Sequence, residues 1–191
     1  SGTKGDADGS GVDSQFNEPK DIDVDGKGNI YVPDSINKKI RKITSDGVVT
    51  TLAGVDLLFD YPVAVDNSGN IYFGGTEKGT FKQKVLKTTP EGVVTTLVDD
   101  EVLEGFTVDS SGNVYVVLID GSISKINPDG VVTTLAVIDL FVVFEVAVDD
   151  SGNIYVMHLD DETFKFKIIK ITSEGVVITL LESDTAFEDI T

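Results

Sequence analysis

The chain has 191 residues, with 33 acidic against 15 basic side chains, a formal net charge of −18, 40% hydrophobic residues, 19 glycines and no cysteine or tryptophan. That apolar content in a chain of this length supplies one packed core and excludes intrinsic disorder. The acidity repels phosphate, so neither nucleic acid nor an anionic membrane is an expected partner, and without cysteine there is no disulfide, thiol nucleophile or zinc-thiolate centre.

Residues 1–20 read as a Gly/Asp-rich leader. Within it, Asp6-Ala-Asp8-Gly-Ser10-Gly-Val-Asp13 sets oxygen ligands two residues apart, as the first half of a calcium-binding loop does. Asp6, Asp8 and Ser10 are therefore candidate calcium ligands, although the place of the bidentate glutamate is taken by Asn17. Just beyond, Asp21 and Asp23 alternate with Ile22 and share one face of a strand.

From position 21 the chain repeats itself. Asp25-Gly-Lys-Gly-Asn-Ile-Tyr-Val32 returns as Asp66-Asn-Ser-Gly-Asn-Ile-Tyr-Phe73, Asp109-Ser-Ser-Gly-Asn-Val-Tyr-Val116 and Asp149-Asp-Ser-Gly-Asn-Ile-Tyr-Val156. A second motif, Gly-Val-Val-Thr-Thr-Leu, begins at Gly47, Gly92 and Gly130, and at Gly175 with Ile in place of the first Thr. Lys42, Lys87, Lys125 and Lys170 stand at one register ahead of it. Around each Asp-x-x-Gly-Asn the chain must reverse, since Gly and Asn tolerate positive φ, and β-branched and aromatic residues flank the reversal. A third strand, Ile40 to Ile43 in the first unit, runs to a second Gly turn, and the Val-Val-Thr-Thr-Leu strand follows.

Each unit thus reads as a four-stranded antiparallel meander of about 42 residues, and four of them as an all-β, four-repeat β-propeller. The repeats fall at approximately 21–56, 57–99, 100–138 and 139–183 within a single domain over 21–191, with a partial strand over 184–191. The repeated aspartates Asp25, Asp66, Asp109 and Asp149 read as turn-stabilising acceptors of backbone N–H groups. Asp21 and Asp23, peculiar to the first unit, are the candidates for a cation at a channel mouth.

The unit from Phe16-Asn-Glu-Pro-Lys-Asp-Ile-Asp-Val-Asp25 through Ile30-Tyr-Val-Pro-Asp-Ser-Ile-Asn-Lys-Lys-Ile-Arg-Lys-Ile43 to Gly47-Val-Val-Thr-Thr-Leu-Ala-Gly54 resembles an NHL repeat. The resemblance covers nearly the whole chain. It implies a β-propeller of the kind found in bacterial surface proteins, in scaffolds and in a few lyases or lactonases. The chain departs from the family in having only four units, and in the apolar lead-ins Leu57-Leu-Phe-Asp-Tyr61, Glu101-Val-Leu-Glu-Gly-Phe106 and Leu140-Phe-Val-Val-Phe144, which are expected to crowd the centre or one mouth.

No nucleophile motif occurs, and the only imidazole, His158, reads as an ordinary strand-end residue. The expectation is accordingly a chain that is not an enzyme: a binding or assembly module, extracellular or on a cell surface, whose partner is another protein or a further copy of itself in a homo-oligomer or fibre. The alternative is a calcium-dependent lactonase or lyase. The most apolar stretch, Leu135 to Val148, is interrupted by Asp139 and Glu145 and is too short to insert in a membrane.

Overall fold

A computed structural model describes residues 3–77, 79–80, 82–101, 103–139 and 142–185. The chain forms two compact units, Ser1–Glu101 and Val102–Thr191, each holding two sheets.

In the first unit, β1 (Gly9–Ser10), a three-residue 3-10 helix (Gly11–Asp13), β2 (Asp23–Val24), β3 (Ile30–Asp34), β4 (Lys39–Ile43) and β5 (Val48–Gly54) make the first blade. The second blade is β6 (Leu57–Val65), β7 (Ile71–Glu77), β8 (Gln83–Thr88) and β9 (Val94–Glu101). The second unit holds β10 (Leu103–Val108), β11 (Val114–Leu118), β12 (Ser122–Ile126) and β13 (Val132–Val137), then β14 (Val142–Val148), β15 (Ile154–Leu159), β16 (Phe166–Ile171) and β17 (Val177–Ser183). Every blade is an antiparallel meander in chain order, the first carrying β1 as a fifth strand on the far side of β5. The fold class is the one read from the repeats, an all-β, four-repeat β-propeller. No helix among the described residues is long and apolar enough to cross a membrane. The partial strand read over 184–191 lies, beyond Thr185, outside the described residues.

The repeated motif builds the same hub four times. Asp25 Oδ1 accepts the N–H groups of Lys27 and Asn29, both at 2.9 Å, while Oδ2 accepts from Asn29 Nδ2 at 2.7 Å and the Tyr31 hydroxyl at 3.1 Å. Asp66, Asp109 and Asp149 do the same with Tyr72, Tyr115 and Tyr155. This bears out the turn-stabilising role. The glycines at the reversals, Gly28, Gly69, Gly112 and Gly152, have φ between 75° and 82°, a region where a Cβ is strained. Behind each tyrosine ring sits the repeated lysine, its ammonium 5.5–5.7 Å from the centroid.

Each unit has its own core. Tyr31 and Ile40 of the first blade pack with Leu57, Phe59, Val63, Ile71, Phe73 and Leu86 of the second. Tyr115, Val117 and Ile123 of the third pack with Val146, Ile154, Val156, Ile169 and Ile171 of the fourth. The apolar lead-ins lengthen the first strand of each later blade, where Leu57 pairs with Glu77, Leu103 with Leu118 and Val142 with Leu159; Leu57 and Phe59 enter the first unit's core and Val143 packs against the second's. The first blade lacks such a lead-in, and its β2 is two residues long.

Leader and blade are instead joined through Arg41. Its side chain is wholly buried, with Nη1 2.8 Å from Asp34 Oδ2 and 2.9 Å from the Gln15 carbonyl oxygen, and Nη2 2.8 Å from Asp8 Oδ1 and 2.9 Å from the Ala7 carbonyl oxygen. The Phe16 ring closes over the guanidinium at 4.9 Å. The leader is thus an ordered strap on the first blade.

Candidate functional site

In the fourth blade, β15 alternates Ile154, Val156 and His158 inward, and all three are buried. His158 lies opposite Val143 of β14 and Lys167 of β16. It is 3% exposed, and its Nδ1 has no hydrogen-bond partner among the described residues. Burial pushes the imidazole pKa below its ordinary 6.5, against the opposing pull of the Leu159 backbone and the Asp160 charge. His158 is therefore neutral at pH 7, an imidazole able to accept a proton. The sequence placed it near the strand end, where the structure has it, and the structure shows it buried.

The hairpin that follows supplies two charges. Asp160 and Lys167 pair at 2.7 Å, and the Lys167 hydrogen bond, reinforced by Thr163, draws the carboxyl down to about 2. Phe164 closes this hairpin with φ 54° and is 66% exposed, whereas the corresponding third-blade hairpin turns on Gly121 at φ 78°. A bulky residue in the left-handed region marks a locally strained turn, of the kind that collects at functional sites. Sequence reasoning passed over Asp160, Phe164 and Lys167; the phenylalanine at a glycine's turn position was the available signal.

The carboxylates nominated for a cation are engaged by the protein itself. Asp6 Oδ2 lies 2.6 Å from Lys39 Nζ, and that hydrogen bond lowers its pKa. Burial pushes the Asp8 pKa up, but the Thr51 amide and hydroxyl and the Arg41 guanidinium outweigh it and bring it below the ordinary value. Ser10 Oγ donates to Asp13 at 3.5 Å. Asp21 Oδ2 accepts the Val63 N–H at 2.8 Å and Asp23 Oδ2 the Val65 N–H at 2.7 Å, so these two stitch the first blade to β6. Among the described residues no three His, Cys, Asp or Glu side chains converge as a metal-holding group.

A concavity of about 330 Å³ lies between the hubs of the first two blades, lined by Asp25, Lys27, Tyr31, Lys42, Asn67 and Pro90 among others. Its carboxylate is already satisfied by the four hub hydrogen bonds. Burial, then the bond to Asp25, raises the Tyr31 hydroxyl to about 12, which keeps it a donor rather than a base.

No family model matches the chain, and no curated protein does. Solved structures do. Virginiamycin B lyase from Staphylococcus aureus is 16% identical with a TM-score of 0.64, over 84% of this chain and 54% of that one. A catalytically inactive histidine-to-alanine variant of that enzyme, solved with quinupristin, is 14% identical with a TM-score of 0.63, over 87% and 56%. A calcium-binding protein, regucalcin, from Agrobacterium tumefaciens is 12% identical with a TM-score of 0.64, over 86% and 60%. The chain spans little more than half the length of these structures, and at such identities the likeness is one of fold. It nevertheless corrects one expectation. The lack of a recognisable catalytic motif does not make this chain a non-enzyme, because the same fold carries lyase activity in proteins whose sequences are this different.

Proposed function

We propose that the chain is a β-propeller enzyme of the lyase or lactonase class, with His158 as its base and calcium as its candidate cofactor. The observation that carries this reading is the neutral, buried imidazole with an unpartnered Nδ1, beside the Asp160–Lys167 pair in a strained hairpin. The inactive histidine variant of the similar lyase supports it, as does the regucalcin likeness for calcium. The NHL-like pattern of the repeats belongs to the same proposal.

In the lyase form, His158 takes the proton from the carbon next to the one that carries the ester's alkyl oxygen, the electron pair becomes a C=C bond between those two carbons, and that alkyl C–O bond breaks to release a carboxylate. In the lactonase form it takes a proton from water, whose oxygen adds to the ester carbonyl; the acyl C–O bond then breaks, and the proton passes to the departing alkoxide to give a hydroxy acid. Product mass separates the two. Ring opening by elimination leaves the mass of the substrate unchanged, whereas hydrolysis adds one water. Purified protein is incubated with quinupristin and with a simple δ-lactone, with calcium and with chelator. Turnover of either that His158→Gln abolishes, in a variant with the parent's circular dichroism, is the expected result; no turnover under any of these conditions ends this reading.

A further inference from the structure

Inside each unit the turn of the later blade approaches the hub of the earlier one, and the two approaches differ. In the second unit they touch: a Cβ at Gly152 would stand 3.2 Å from the Tyr115 hydroxyl oxygen. Burial and the Asp109 carboxylate push that hydroxyl's pKa up, and the Asp149 charge of the fourth blade adds to them. In the first unit the same step is open. A Cβ at Gly69 would have only Pro90 within 4 Å, and the charge that acts on Tyr31 is that of its own Asp25. The gap is the cavity of about 330 Å³, which lies wholly within the first unit.

The residues around the gap have changed with it. Lys27 stands where the other three repeats have Ser68, Ser111 and Ser151, and Asn67 stands where the fourth blade has Asp150. Lys27 and Lys42 therefore outweigh Asp25 around the cavity, whereas at the matching positions of the second unit Asp109 and Asp150 outweigh Lys125. In a chain of net charge −18 this is a local reversal of sign. The turn itself does not call for a lysine. What it uses is the Lys27 N–H, given to Asp25 Oδ1, and Ser68 gives the same bond to Asp66. Both Asp25 oxygens are occupied by the hub, and neither lysine has a carboxylate at ion-pair distance among the described residues.

We propose that this cavity binds a small oxyanion, the carboxylate or phosphate group of a metabolite-sized ligand, between the ammonium groups of Lys27 and Lys42. Two ammonium donors offer charge-assisted hydrogen bonds, roughly twice as strong as neutral ones. The Asn67 amide and the Ser68 hydroxyl line the same space from the second blade as further donors. Lys42 is steadied by the Tyr31 ring, 5.7 Å from its nitrogen, and the Tyr31 hydroxyl is itself tied to Asp25. The acidic residues elsewhere oppose an anion only weakly, because salt screens exposed charges beyond about 8 Å. A space of this volume is at the small end of ligand pockets, which excludes a macromolecular occupant. The site makes no use of His158, which lies in the other unit, and stands apart from the catalytic reading.

The test is amide NMR of the whole protein, titrated at constant ionic strength with inorganic phosphate, with succinate, and with glycerol as an uncharged control. Saturable shifts at residues 26–29 and 67–69 with at least one anion, and none with glycerol, are expected. A response to phosphate alone assigns the oxyanion to a phosphate ester, and a response to succinate alone to a carboxylic acid. Lys27→Ser copies the other three repeats and so keeps the turn; it weakens binding by about tenfold or more, the loss of one hydrogen bond from a charged donor. Lys20→Ser removes an exposed charge outside the cavity and leaves the affinity as it was. No saturable shift with either anion overturns the proposal, as does an unchanged affinity in Lys27→Ser. Equal weakening in Lys20→Ser overturns it too, by showing attraction to net charge rather than to this cavity.

Discussion

Arg41 and Asp34 are both wholly buried and hold each other at 2.8 Å between Nη1 and Oδ2, the only charged groups of the first blade without any exposure among the described residues. Asp34 also accepts the Asn17 N–H at 2.7 Å and the Asn37 side-chain amide at 2.8 Å, so the pair gathers leader and hairpin onto one centre.

Removing one member strands the other. Arg41→Leu is expected to destabilise the protein by about 3–5 kcal/mol, the usual cost of an uncompensated buried charge, and adding Asp34→Leu should recover part of that loss. Chemical denaturation of the two variants checks both points. A single-variant loss below about 1 kcal/mol would show that water reaches Asp34.

Asp8 joins the same centre from the leader, receiving the Thr51 N–H and hydroxyl at 3.0 Å each as well as Arg41. Asp8→Asn should therefore cost about 1 kcal/mol in the presence of chelator, a modest figure because the carboxylate is 48% exposed. Melting with and without calcium separates this from a metal site: a calcium-dependent stabilisation that Asp8→Asn abolishes would make Asp8 a ligand after all.

Acid should loosen the hub of the fourth blade. The Asn153 side-chain and backbone bonds, with those from Tyr155 and Ser151, hold the Asp149 pKa at about 2 against the ordinary 3.8. A depressed carboxyl stabilises the fold above the unfolded value and loses that contribution as pH falls through the folded one. The melting temperature should then drop between about pH 4 and pH 2, and Asp149→Asn should flatten that limb; equal slopes in both proteins would place the acid sensitivity elsewhere.

His158 works at the other end of the scale. Its buried imidazole takes a proton less readily than the unfolded one at 6.5, so stability is complete above that value and declines as pH falls below it. Because the chain has one histidine, a single imidazole resonance in a proton NMR titration reports it. A midpoint below 6.5 is expected, and His158→Gln should remove the decline in melting temperature between about pH 7 and pH 5. A midpoint at or above 6.5 would place the ring in water.

The hubs were legible because Asp, Gly, Asn and Tyr recur together, and each of their partners lies within six residues. Asp21 and Asp23 were harder to read for the opposite reason. Alternating carboxylates suit a cation, but what they meet is the backbone of Val63 and Val65, 42 residues away, and an N–H leaves no trace in a sequence. The strap was hidden in the same way: Arg41 occupies a strand position filled elsewhere by Leu86, Ser124 and Ile169, and nothing local says that Asp8 lies 2.8 Å from it. His158 was found, but its burial was not legible, since that depends on three strands at once.

Every named strand pairing joins neighbours in the chain except β1 with β5, where Gly9 meets Val49. On a ribosome the hairpins can therefore form one after another as they emerge, each closing a short loop at little entropic cost. The strap alone must wait, with Asp8 and the buried guanidinium it serves, until some forty residues more have been made. The first blade described is thus the one whose completion depends on an earlier segment coming back, and a pause in translation near Thr51 would leave Arg41 made but not yet enclosed.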